Sequence, residues 1–130
     1  MQKHFTFLIT LFIGLNSIAQ VNLDSLWNVW NDKTQPDTNR LKAMHKIAWD
    51  GYLFSQPDSA FYFAQMGYDL AEARNNKKWM GIAFNTQAMS LKKQGNYEKS
   101  LEYHSKSLAI SEGLCDKKGM RTSYMNIGNI

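Results

Sequence analysis

Gly95-Asn96-Tyr97-Glu98-Lys99-Ser100-Leu101-Glu102-Tyr103 reads as a turn followed by the opening of a helix. Glycine enters the left-handed conformation that ends a helix at little steric cost, so Gly95 closes one element and Tyr97 opens the next. Small, apolar and aromatic residues then recur at Ser100, Leu101, Tyr103, His104, Ser107, Leu108 and Ser111, the spacing of one helical face. Working outward, residues 78–94 read as the helix before this turn, and a further helix begins at Lys117. The pattern predicts an all-α chain.

The same unit returns when the chain is shifted by forty residues. Ala43 falls on Ala83, Ala48 on Ala88, Glu72 on Glu112, Met80 on Met120, and Lys77-Lys78 on Lys117-Lys118. Phe63 meets Tyr103, Phe84 meets Tyr124, and the small Ala60 and Gly67 meet Ser100 and Ser107. The matches fall at core and turn positions of a helix-turn-helix unit, which marks an internal repeat. Upstream, the period through Leu41, Met44, Ile47, Ala48, Gly51 and Tyr52 predicts one helix from Thr38 to about Phe54, with Asp37 as its cap. Ser55-Gln56-Pro57-Asp58 breaks it, Ser55 being the candidate cap and Pro57 suiting a first turn. The next helix runs to about Arg74 and ends at Asn75-Asn76. Before the first unit, Leu23, Leu26, Trp27 and Trp30 form the stripe of a short amphipathic helix capped by Asn22. Its two tryptophans need cover, so it is expected to lie on the first unit as a lid.

Residues 1–19 carry a short basic start, an apolar run from Phe5 to Leu15, and small residues at Ser17 and Ala19. This is the pattern of a secretory signal peptide cleaved after Ala19; the competing reading is an uncleaved anchor or a buried helix. The run is shorter than the roughly 20 residues that span a bilayer. The chain has a formal net charge of +4. Without its leader it carries fourteen basic and eleven acidic residues, a mild excess that does not indicate nucleic-acid binding. The pairs Lys77-Lys78, Lys92-Lys93 and Lys117-Lys118 are expected at or just past helix ends, offsetting the negative end of each dipole. The single cysteine, Cys115, excludes an internal disulfide, and Gln20 after the cleavage site excludes a lipoprotein.

Over residues 38–130 the chain resembles the tetratricopeptide repeat (TPR) family. The second unit carries the resemblance: Phe84, Ala88 and Leu91, the turn Gly95-x-Tyr97, then Ser100 and Ser107 at the small positions. The resemblance implies a TPR-type α-solenoid of antiparallel helix pairs, about two and a half repeats long, in the longer-helix variety with a period of forty. Residues 38–76 are then a degenerate first repeat, 77–116 the second, and 117–130 the first helix of an incomplete third; 20–37 form the short helix and linker. The first repeat departs from the pattern in lacking the Gly-x-Tyr turn, and His104 stands where an aromatic residue is usual. Leader, Trp-containing helix and Cys115-Asp116-Lys117-Lys118-Gly119 joint together are similar to the exported sensory region of Bacteroidetes-type membrane signalling proteins. In those proteins a kinase, cyclase or DNA-binding output follows a membrane helix. An apolar face on Met120, Tyr124 and Ile127 with no following helix leads to the expectation of a fragment of a longer protein.

No arrangement for catalysis stands out. His45 and His104 remain after export, and nothing brings Cys115 near either. No metal-ligand spacing and no phosphate loop is present, so no cofactor is expected. Binding is the expected function, with a protein or peptide in the concave groove lined by the first helix of each unit. The candidate groove residues are Lys42, His45, Trp49 and Tyr52, then Asn85, Met89 and Lys92, then Met125, Asn126 and Asn129. Self-association is a second mode of partnering, and membrane attachment would come only through a downstream segment. The alternative to a sensing region is a free-standing exported scaffold.

Overall fold

The computed structural model describes residues 21–130, so the leader expected over residues 1–19 lies outside the described residues. All regular structure among those described is helical. In chain order it comprises α1 (Leu23–Asn31), α2 (Asp37–Lys46), a π-helical segment (Ile47–Tyr52), α3 (Pro57–Ala73), α4 (Lys77–Lys93), α5 (Tyr97–Gly113) and α6 (Lys117–Gly128). Helices α2, α4 and α6 begin at Asp37, Lys77 and Lys117, and α3 and α5 at Pro57 and Tyr97, so helix starts recur every forty residues.

Three joints are built alike. At each, one residue takes positive φ: Asn75 (51°), Gly95 (79°) and Cys115 (54°). Its own N–H and that of the next residue close back on the preceding helix. Asn76, Asn96 and Asp116 donate to the carbonyls of Ala71, Leu91 and Ser111 at 2.8, 2.9 and 2.9 Å. This paired closure satisfies carbonyls that a helix end leaves free. The same three residues then cap the following helix, accepting from the N–H groups of Trp79, Lys99 and Gly119 at 3.3, 3.4 and 3.1 Å. Two helix ends are thus served by three residues of chain.

The joint before α3 differs. Gln56, not Ser55, occupies the cap position, and it makes no side-chain capping bond. The helix expected without interruption from Thr38 to Phe54 changes to π geometry at Ile47. The wider turn coincides with the docking of α1, for Leu23 packs so closely on Gly51 that a Cβ there would lie 2.7 Å from its Cδ2. Asp37 is also not a cap. It is the first residue of α2, and its carboxylate accepts from Arg74 Nε at 2.7 Å and pairs with Arg40 at 3.5 Å.

Successive helices run antiparallel, as two hydrogen bonds between α4 and α5 demonstrate. Ser100 Oγ donates to the Ala88 carbonyl at 2.8 Å, and Ser107 Oγ to the Gly81 carbonyl at 2.9 Å. Moving seven residues forward on one helix moves seven back on the other. Ser90 Oγ likewise donates to the Pro57 carbonyl, tying α4 to α3. The core follows the repeat: Ala43, Ala83 and Ser123 are buried, as are Ala48 with Ala88 and Ala60 with Ser100. Helix α1 covers the first unit as expected, with Trp27 edge-on to Phe63 at 5.3 Å and Arg40 over the Trp30 ring at 5.1 Å.

One buried group stands apart. His104 occupies the slot that Ala64 fills forty residues earlier, is wholly buried, and has no hydrogen-bond partner at either ring nitrogen. Burial pushes its pKa down to about 4, and the positive Lys92 adds to this. The ring is therefore neutral in the folded protein at neutral pH, and protonation favours the unfolded chain.

Two outcomes are expected in denaturation experiments. Cys115→Gly relieves a left-handed backbone and raises stability by about 1 kcal/mol, whereas Gly95→Ala lowers it by a similar amount. Stability is full above pH 6.5 and falls as pH drops from 6.5 toward 4, by about 3 kcal/mol from His104 alone. His104→Leu removes most of that slope; a slope unchanged in His104→Leu would assign it to other groups.

Candidate functional site

On the face shared by α2, α4 and α6 lies a cavity of about 370 Å³. Its floor is the C-terminal half of α5, through Ser107, Ile110 and Ser111. Trp79, Ile82 and Asn85 of α4 form one wall, and Lys118, Gly119 and Thr122 of α6 the other. His45 and Trp49 close the end nearest the first unit.

The repeat explains why there is space here. Between the first and second units, His45 faces the Trp79 ring at 6.2 Å. Forty residues on, the same two slots hold Asn85 and Gly119. Where the first interval is filled by imidazole and indole, the second has an amide and no side chain. The supporting positions changed in step. Ala71 is fully buried in the first unit; forty residues on its place is taken by Ser111, and a Cβ on Gly119 would sit 2.5 Å from the Ser111 Oγ. A strict repeat would place an indole at position 119, on the wall of this cavity.

Three of the expected groove residues, His45, Trp49 and Asn85, line this cavity. Asn126 stands beside it, donating from Nδ2 to Asn85 Oδ1 at 2.8 Å. That contact repeats an earlier one: His45 Nδ1 lies 3.3 Å from Thr86 Oγ1, each partner being forty residues before its counterpart. Because the Thr86 hydroxyl donates to the Ile82 carbonyl at 3.1 Å, the imidazole is the donor to Thr86, which leaves Nε2 as an acceptor in the neutral ring. Partial burial lowers the His45 pKa, with Asp50 opposing and Lys46 assisting.

The remaining candidates lie elsewhere. Tyr52 packs on Phe63 at 4.8 Å in the aromatic cluster beneath α1. Lys92 Nζ donates to the Asn129 carbonyl at 2.8 Å, closing the C-terminal end of α6 and joining those two residues to each other. Met89 is half-buried on α4, while Lys42 and Met125 are exposed on α2 and α6. None of these six lines the cavity.

The lysine pairs need correction. Only Lys92-Lys93 lies in a last helical turn; Lys77-Lys78 and Lys117-Lys118 open α4 and α6. They sit at the positive end of the dipole, with no acidic residue in either first turn. Lys78 and Lys118 both line the cavity. Helix starts at residue 78 and Lys117 were expected, but the charge of these pairs was set against the end of the preceding helix instead of the start of their own. Trp79, Ser111 and Gly119 were also not singled out from sequence, although the Trp-to-Gly change at one repeat slot is readable there.

Among the described residues no cluster of His, Cys, Asp and Glu could hold a metal ion. Comparison with known proteins gives no match to a family, a curated protein or a solved structure.

The lysine placement carries a stability consequence. Replacing Lys77 and Lys117 by Glu should raise the melting temperature, each change contributing about 0.5 kcal/mol at low salt and less at high salt. A drop in melting temperature would mean that these lysines make stabilising contacts.

Proposed function

We propose that the chain is a TPR-type helical-repeat module that binds a protein or peptide segment along the groove of α2, α4 and α6. We further read it as the exported, periplasmic input region of a longer membrane-anchored signalling protein. The observation that carries the binding reading is the cavity of about 370 Å³, walled by side chains of α4 and α6 at the interval where the repeat omits a ring. Helix starts spaced by forty residues and small residues at the helix crossings support the family assignment. The paired amides of Asn85 and Asn126 support a peptide, since such groups bond to main-chain N–H and C=O. Export rests on the basic start and apolar run ahead of Gln20. No helix among the described residues is long and apolar enough to cross a membrane, and the anchoring is assigned to a segment beyond Ile130.

Selection of peptides from a random library on the purified protein tests the reading. Selected peptides should lose about tenfold in affinity, ~1.4 kcal/mol, on Asn85→Ala with Asn126→Ala, while the melting temperature changes little. Peptides that bind the double variant as tightly as the parent would remove the groove from consideration.

A further inference from the structure

We infer that the cavity between α4, α5 and α6 receives an aromatic side chain of a partner peptide, with a neighbouring carboxylate held between Lys78 and Lys118. The inference rests on the peptide-binding reading above and adds the chemistry of the peptide. Shape is the first support. The unfilled slot opposite Asn85 corresponds to the one that Trp79 fills opposite His45, so its natural complement is a planar ring. Trp79, Ile82, Ile110 and Leu114 give that ring apolar walls.

Charge is the second support. Two helix N-termini meet the cavity, each opened by a lysine pair that the helix dipole disfavours. Neither Lys78 nor Lys118 forms an ion pair with the described residues. Asp116 is the one carboxylate in the lining, and it is engaged in accepting from the Gly119 N–H. Retaining unfavourable charge at two equivalent helix starts fits a site where an anion arrives from outside.

Ser111 adds a polar point to the lining. It is 7% exposed, it lines the cavity beside Gly119, and its hydroxyl has no partner among the described residues. Its hydroxyl is open to the recess, where an occupant's polar group can bond to it in place of water. The occupant is a peptide instead of a free aryl acid because the lining continues into the Asn85–Asn126 pair. There the single bond from Asn126 Nδ2 to Asn85 Oδ1 leaves Asn85 Nδ2 and Asn126 Oδ1 for one peptide unit.

The test uses the full chain and fluorescein-labelled heptapeptides read by fluorescence anisotropy. One peptide has a Glu-Asp-Phe-Glu centre, one replaces Phe by Ala, and one replaces the acids by Lys. The first should bind at least tenfold more tightly than either control. Lys78→Gln with Lys118→Gln should weaken it about tenfold and flatten its salt dependence, since the lost contacts are charged. Ser111→Ala and Asp116→Asn with Gly119→Trp restore the Ala71, Asn76 and Trp79 residues in the second interval and should abolish binding by filling the cavity. The lysine variants sit on exposed first turns and keep the fold, so the test survives if the cavity-filling variant does not.

Basic or aliphatic peptides that bind as well, and still lose binding in Asn85→Ala with Asn126→Ala, would overturn this inference and leave the groove reading intact. Absence of binding by any peptide would overturn both. Displacement of the acidic peptide by phenylacetate at equal affinity would make the occupant a free aryl acid, which also overturns the inference.

Discussion

The close approach of facing helices at small residues is the constraint on which the structure depends. Ser100 and Ser107 are buried in the α4–α5 interface, and each gives its hydroxyl proton to a main-chain carbonyl of the facing helix. A carbonyl already bonded within its helix keeps a second lone pair, so these contacts satisfy the serine without unwinding α4. A larger side chain at either position would push the helices apart and break both bonds. Alanine would keep the spacing and lose only the stitching. The first unit shows the cheaper solution, with Ala60 and Gly67 at the corresponding slots.

With the spacing set, the rest of the site follows from which slots are filled. The His45–Trp79 interval is packed, and the Asn85–Gly119 interval is open. Since both intervals are spanned by helices held at the same small-residue crossings, removing the ring leaves a cavity instead of drawing the helices together. The recess opens to solvent, so water fills it until a ligand displaces it. His104 illustrates the opposite substitution, a polar ring placed where the preceding unit has Ala64. Its neutrality and lack of partners show how little freedom the second unit has to solvate what it buries.

The sequence carried the helix content and the forty-residue period, because turn residues and apolar spacing act locally. Gly95 announced its left-handed turn; Asn75 and Cys115 adopt the same conformation with side chains that do not demand it. The groove was legible only in part. His45, Trp49 and Asn85 share the lining of one recess because helical phase fixes which way a mid-helix position faces. Tyr52 was not, since the π segment widens the turn before it and the residue turns to Phe63. The lysine pairs were misread because three-residue joints leave no gap between the end of one helix and the start of the next. The cavity itself needed a comparison of paired slots, Ala71 with Ser111 and Trp79 with Gly119, that single-position matching does not make.

Three side-chain bonds that tie one unit to the next join residues 37 to 41 positions apart: His45–Thr86, Asn85–Asn126 and Lys92–Asn129. No bond in this set skips a unit. A chain whose contacts reach only to the neighbouring unit closes short loops as it folds, and such topologies form quickly. Each unit can then assemble on the one before it as the chain emerges, without waiting for residues still to come. Because a chain is made from its N-terminus, order of arrival and order of folding would coincide.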